Sequence, residues 1–116
     1  MTVSEIISRA DAIRPNAVPQ EVKLGFLSDV EGQVRVLICK EAPESLKPLT
    51  AADGGKVLTV SYPFDNLYVL YLCAMYAYYA QDTELYANDR VVFEKAWSDY
   101  AKWYQRTGGG VRDGNV

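Results

Sequence analysis

The sequence predicts a mainly α, four-helix bundle-like domain. Three observations predict it: apolar residues recur every three or four positions in several stretches, residues that favour helix starts stand before those stretches, and all five prolines fall between them or at their edges. The expected helices cover about residues 3–14, 19–39, 65–80 and 83–106, with a long middle loop that offers a β-hairpin. The chain's 116 residues suffice for one domain with one modest core. Residues 1–107 read as that domain. Residues 108–116, with Gly108, Gly109, Gly110 and Gly114 and little that is apolar, read as a flexible tail.

Each element has its own signals. Thr2 and Glu5 have capping-box spacing, Ile6, Ala10 and Ile13 follow at helical intervals, and Pro15 ends the first helix by disfavouring helical geometry at Arg14. The second helix starts at Pro19, where a missing amide hydrogen costs nothing. Its stripe is Val22, Phe26, Val30, Val34 and Leu37, widened by Leu27 and Ile38, opposite Glu21, Ser28 and Arg35. Gly25 and Gly32 lie on the polar side; either another helix or subunit approaches closely there, or a well-packed helix tolerates them.

From Lys40 to Pro63 the helical pattern stops, with Pro43 and Pro48 as punctuation and Asp53-Gly54-Gly55 as a turn. Leu58, Val60 and Tyr62 alternate with Thr59 and Ser61 as in a strand, and Leu46–Thr50 is its candidate hairpin partner, restricted to an edge by Pro48. Asp65 is placed to cap the third helix. Asp82 or Thr83 caps the fourth, where Tyr86, Phe93, Trp97, Tyr100 and Tyr104 form one stripe and Leu85, Val92, Ala96 and Trp103 an adjacent one. Arg90–Glu94 and Asp99–Lys102 have the spacing of helix-surface ion pairs. The short link at Gln81–Thr83 makes the last two helices antiparallel neighbours.

Composition excludes several functions. The net charge of −3, with no basic run, argues against an electrostatic grip on nucleic acid, and no Lys or Arg stands between Asp65 and Asp89 to turn the tyrosines there into a base-stacking platform. The chain has no histidine, which removes imidazole metal sites and histidine-activated nucleophiles. Cys39 and Cys73 alone cannot complete a tetrahedral zinc site. The residues permit a 39–73 disulfide, but the absence of a signal peptide favours a reducing cytoplasm, with Cys73 a buried thiol in an apolar run. No glycine-rich loop precedes a helix and no pair of carboxylates has a setting for acid–base work, so neither enzymatic activity nor a cofactor is expected. Asp89, on the apolar side of the fourth helix, is the one carboxylate with two readings: an interface ion pair or ligand contact, or an acid bonded locally to a tyrosine hydroxyl or a backbone amide.

The third helix carries the functional argument. Leu67–Ala80 is apolar nearly all round, yet shorter than the ~20 residues that cross a bilayer, and it holds Tyr68, Tyr71, Tyr76, Tyr78 and Tyr79. Such a helix has to be covered on every side, so it is either central in the domain or completed by a neighbouring subunit. The candidate interface residues are Tyr62, Phe64, Tyr68, Tyr71, Tyr79 and Asp89 around the aromatic hairpin, with Leu46, Leu49, Leu58 and Val60 in the middle segment. A connection of that length usually has a function or moves, which makes it a natural arm.

The stretch Tyr62-Pro63-Phe64-Asp65-Asn66-Leu67-Tyr68, then Tyr71-Leu72-Cys73-Ala74-Met75, Tyr86-Ala87-Asn88-Asp89 and Tyr100-Ala101-Lys102-Trp103-Tyr104-Gln105-Arg106-Thr107, resembles phage and prophage head–tail connector (adaptor) proteins. Leu27 and Glu31-Gly32 fit the same pattern more weakly, and Lys40–Thr59 contributes nothing to it. The resemblance implies a structural virion subunit that forms a homo-oligomeric ring of about a dozen copies between portal and tail proteins. It implies a place in the virion neck, in the host cytoplasm during assembly or when prophage-encoded, and passage of DNA without tight binding. No membrane is involved. The rival expectation is a small helical protein-binding module that regulates a phage or host protein. A small enzyme would need perturbed carboxylates such as Asp29 or Asp89 in a deep pocket.

Overall fold

In the computed structural model, which describes residues 1–108, the chain runs through α1 (Val3–Ile13), α2 (Gln20–Gln33), α3 (Asn66–Tyr79) and α4 (Thr83–Arg106). The tail expected over 108–116 falls, from residue 109 on, outside the described residues. The helices pack as a bundle-like body with α3 in the middle, and no strand is present among the described residues.

The expected capping box starts α1: Thr2 Oγ1 accepts from the Glu5 amide at 3.2 Å and Glu5 Oε1 accepts from the Thr2 amide at 2.7 Å. Val3, Ile6, Ile7 and Ala10 enter the core, whereas Ile13 lies at the frayed end and is exposed. Helix α2 follows Pro19, but its inward face is rotated from the expected stripe: Leu24, Leu27, Val30, Val34 and Ile38 are buried, Val22 and Phe26 half-buried, and Leu37 exposed. Two polar residues, Lys23 and Glu31, make up the rest of that face. The last turn of α2 widens over Val34–Ile38, where the Cys39 amide reaches back to the Val34 carbonyl at 3.0 Å, and Lys40 reverses the chain at φ 64°.

Neither glycine of α2 marks an approach by another helix within the chain. A Cβ at Gly25 would meet nothing within 4 Å, and one at Gly32 would sit 3.7 Å from Leu46 Cδ1, an ordinary contact. Gly25→Ala should therefore stabilise the fold by about 0.5–1 kcal/mol, because alanine limits the unfolded chain and has better helix propensity. Thermal and urea denaturation would measure it; a loss of stability would reveal a neighbour at Gly25 that a lone chain lacks.

The middle segment is not a hairpin. Two short 3₁₀ turns, Pro43–Ser45 and Ala51–Asp53, flank the proposed first strand, Leu46–Thr50, which pairs with no strand, and the one β-type contact among the described residues is a bridge between Thr2 and Val57. The expected alternation does hold for Leu58 and Val60, which are buried while Thr59 and Ser61 are exposed, but Tyr62 breaks it by pointing out. Side chains take the amides that a partner strand would have paired. The Thr59 amide donates to Glu31 Oε2 at 3.1 Å, the Val60 amide to the Tyr68 hydroxyl at 2.9 Å, and the Leu49 amide to Ser28 Oγ at 2.8 Å. The segment is thus fastened to its own α2 and α3 and is no free arm.

Helix α3 takes the central position. Leu67, Tyr68, Val69, Leu72, Ala74 and Ala77 are at most 1% exposed, so its own chain covers most of it as far as Ala77, with Leu70 and Met75 half-buried. Asp65 precedes it as expected but does not cap it: its carboxylate accepts from the Met1 amino group at 3.2 Å and makes no hydrogen bond to the helix amides. After the Gln81 turn (φ 61°), Asp82 caps α4 by accepting from the Leu85 amide at 3.2 Å. Helices α3 and α4 form the expected antiparallel hairpin, joined by Tyr71 against Phe93 (ring centroids 5.1 Å) and Tyr78 against Tyr86 (5.5 Å). On α4, Arg90 pairs with Glu94 as expected, but Asp99 takes Lys95 at 3.0 Å in place of Lys102. Lysine and aspartate four apart lie on one face of the helix, which leaves Lys102 without a partner among the described residues.

A part-buried polar knot fastens α1 to α2 and α3. Asp11 accepts from Lys23 Nζ at 2.9 Å, from the Tyr76 hydroxyl at 2.9 Å and from Asn16 Nδ2 at 3.0 Å. Partial burial works against the Asp11 charge, but these donors outweigh it and hold the carboxyl below the usual aspartate range; burial and Asp11 together push the Tyr76 hydroxyl well up. The linked stability is complete above the ordinary aspartate value of about 3.9 and is lost as pH falls through the lower folded value. Asp11→Asn should flatten that acid limb in urea titrations at successive pH values; an unchanged limb would place the acid sensitivity elsewhere.

Candidate assembly surface

Helix α4 is the least covered of the four helices. Of its 24 residues only Phe93 and Tyr100 are buried. Leu85, Tyr86, Ala96, Trp97, Trp103 and Tyr104 are half-buried, and on the outer side Val91 and Val92 are 69% and 53% exposed. Val92 was expected in an apolar stripe facing the core; the stripe that packs is narrower, because α3 is already enclosed and offers α4 one flank. A helix held along so narrow a seam presents most of its circumference to whatever lies outside.

Two aromatic clusters sit at the opposite ends of the α3–α4 hairpin. At its turn, Tyr78, Tyr79 and Tyr86 line an open groove of about 630 Å³ that also holds Asp82, and Tyr78 is 60% exposed. At the other end, Tyr62, Phe64, Trp103, Tyr104 and Cys39 line a cavity of about 450 Å³. There Phe64, Tyr100 and Trp103 form a triangle of rings 5.3–5.8 Å apart, and Tyr62, joined to Pro63 by a cis peptide, projects with 87% exposure. Burial raises the pKa of Tyr100, and a hydrogen bond with Cys39 raises that of Tyr104. At the mouth Glu41 is bound to Arg35 through a two-pronged contact with bonds of 2.7–3.1 Å, which keeps its carboxyl below the usual range. These groups offer ring faces, hydroxyls and a thiol for contact.

The ten candidate interface residues divide clearly. Tyr62 and Tyr79 are on the surface, Phe64 is half-buried in the ring cluster, and Leu46 is half-buried over Gly32. Tyr68, Tyr71, Leu49, Leu58 and Val60 are core residues, closed off by the same chain. Sequence alternation and helical spacing place them on an apolar face without saying what covers it. Asp89 has neither of its local partners, a tyrosine hydroxyl or a backbone amide. It is paired with the Arg14 guanidinium of α1, which also donates to the Cys73 carbonyl at 3.2 Å. The contact is within the chain, and Asp89 raises the Arg14 pKa. Val91, Val92, Tyr78 and the Trp103–Tyr104 pair are exposed or half-exposed surface that the candidate set omits.

Cys39 and Cys73 are both free thiols, and burial pushes the Cys73 thiol up, away from the reactive thiolate. Among the described residues no group of three or more Cys, Asp or Glu is arranged to hold a metal ion, and no helix is long and apolar enough to cross a membrane. No protein-family model, curated protein or solved structure matches the chain.

Proposed function

We propose that this chain is a structural subunit that acts by assembling with copies of itself. On the likeness of its aromatic hairpin to head–tail connector proteins, we propose a place in a ring between the portal and tail of a phage particle. The observation that carries the reading is α4, a 24-residue helix that buries two residues and leaves Val91 and Val92 outside. Exposed apolar side chains and partly exposed aromatic clusters are the usual marks of a protein contact surface. A channel wall also has to let DNA slide, which suits a chain with a net charge of −3. In this reading the covered α3 serves as a rigid strut and the outer face and ends of α4 carry the contacts.

Electron microscopy of the purified protein should show closed rings, and labelled protein should be found at the neck of assembled particles. A protein that forms no ring, and is absent from particles, removes the connector reading. The second reading, a module that regulates another protein, is favoured by the open groove at Tyr78, Tyr79 and Tyr86, which would accept an apolar side chain of a partner. It requires a stoichiometric heteromeric complex in a pull-down and no ring.

A further inference from the structure

We infer that successive copies join head to tail, the turn end of the α3–α4 hairpin on one copy seating against the opposite end of the next; this rests on the self-assembly reading above. The two ends are complementary in charge. At the turn end Glu84 has no cationic partner among the described residues, and Asp82 is bonded only to a backbone amide. The nearby Arg14 is paired with Asp89 and also feels the charge of Asp82, so Glu84 is the carboxylate left unmatched there. At the opposite end Lys102 and Arg106, one turn apart on α4, have no acidic partner among the described residues, and neither has Lys40, which lies between the cavity-lining Cys39 and Glu41.

The ends are also alike in surface. Each carries partly exposed rings, Tyr78 and Tyr79 at one and Tyr62, Trp103 and Tyr104 at the other, so that cationic side chains would meet tyrosine faces as well as carboxylates. A rigid helix of 24 residues keeps the two ends ~36 Å apart. They cannot meet within one chain, and a second copy is the partner that supplies the complementary end. Contact between two different patches is heterologous, and repeated with a fixed rotation it closes into a ring or runs on as a filament.

Charge reversal tests this directly. Glu84→Lys, and separately Lys102→Glu with Arg106→Glu, should each lower the particle mass measured by light scattering to the 13.0 kDa of one chain, since like charges then face each other. Mixing the two variants should restore the assembled mass, which unfolded variants could not do. If the wild type assembles and the reversals keep its mass, or if mixing restores nothing, the head-to-tail contact is overturned while self-assembly stands. A wild type that remains at 13.0 kDa at every concentration overturns both.

Discussion

Phe93→Ala is expected to destabilise the fold by about 3–5 kcal/mol, the range for removing a large ring from a closed core. Phe93 is 3% exposed, packs edge-on against Tyr71 at 5.1 Å, touches Trp97 at 6.0 Å and lies under the Arg90 guanidinium at 5.2 Å. It is also one of the two buried residues of α4, the residues that pack beside it, such as Ala96, Trp97, Trp103 and Tyr104, being half-buried, so it carries a large share of the seam. The rest of α4 should loosen with it, and amide exchange should speed along α4 before it does in α3. Val91→Ala on the outer side is the comparison: with nothing packed against it in one chain, it should shift stability by less than about 0.5 kcal/mol. Urea denaturation at low protein concentration measures both. A small effect at Phe93 would mean that α4 is held by contacts other than the ring seam.

Glu31→Ala should cost about 3 kcal/mol for a different reason. Glu31 is 8% exposed and accepts from the Tyr68 hydroxyl at 2.6 Å, the Thr59 hydroxyl at 2.6 Å and the Thr59 amide at 3.1 Å. The carboxylate joins α2, α3 and the middle segment, and Tyr68 passes the connection on to the Val60 amide. Burial and the neighbouring Glu31 raise the Tyr68 pKa, so the phenol remains the donor across the working pH range. Truncation to alanine strands the buried Tyr68 hydroxyl and the part-buried amide and hydroxyl of Thr59. Glu31→Gln keeps the volume and one acceptor but puts an amide donor where the other acceptor stood, so it should recover part of the loss and no more. In exchange experiments Thr59 and Val60 should lose protection in both variants, because Glu31 and Tyr68 replace a partner strand at those amides.

The fold was legible wherever local chemistry decides. The Thr2–Glu5 box, the break at Pro15, the Asp82 cap and the α3–α4 hairpin follow from spacing within a few residues, and tertiary packing leaves them in place. The α2 face was less legible because Lys23 and Glu31 face inward, satisfied by Asp11, Thr59 and Tyr68, residues far away in the chain. The same distant partners explain the missing hairpin: nothing near Val60 announces that a phenol eight residues on will take its amide. For the candidate surface, apolar type alone could not tell Tyr68, which is enclosed, from Tyr78, which is exposed. That distinction depends on how far along α3 the cover of the other helices extends. Val92 shows the converse: its spacing places it in an apolar stripe with Leu85, Ala96 and Trp103, yet it is exposed because the seam that packs is narrower.

We propose that the uncovered side of α4 is a surface for further copies of this chain. Its most direct test is the particle mass in solution, by light scattering over a concentration series, for the wild type and for Val91→Asp, a change at a position exposed in the single chain. Assembly predicts a wild-type mass that is a multiple of 13.0 kDa and a return to 13.0 kDa in the folded Val91→Asp protein. A wild type at 13.0 kDa throughout, or a variant that assembles just as the wild type does, would contradict it.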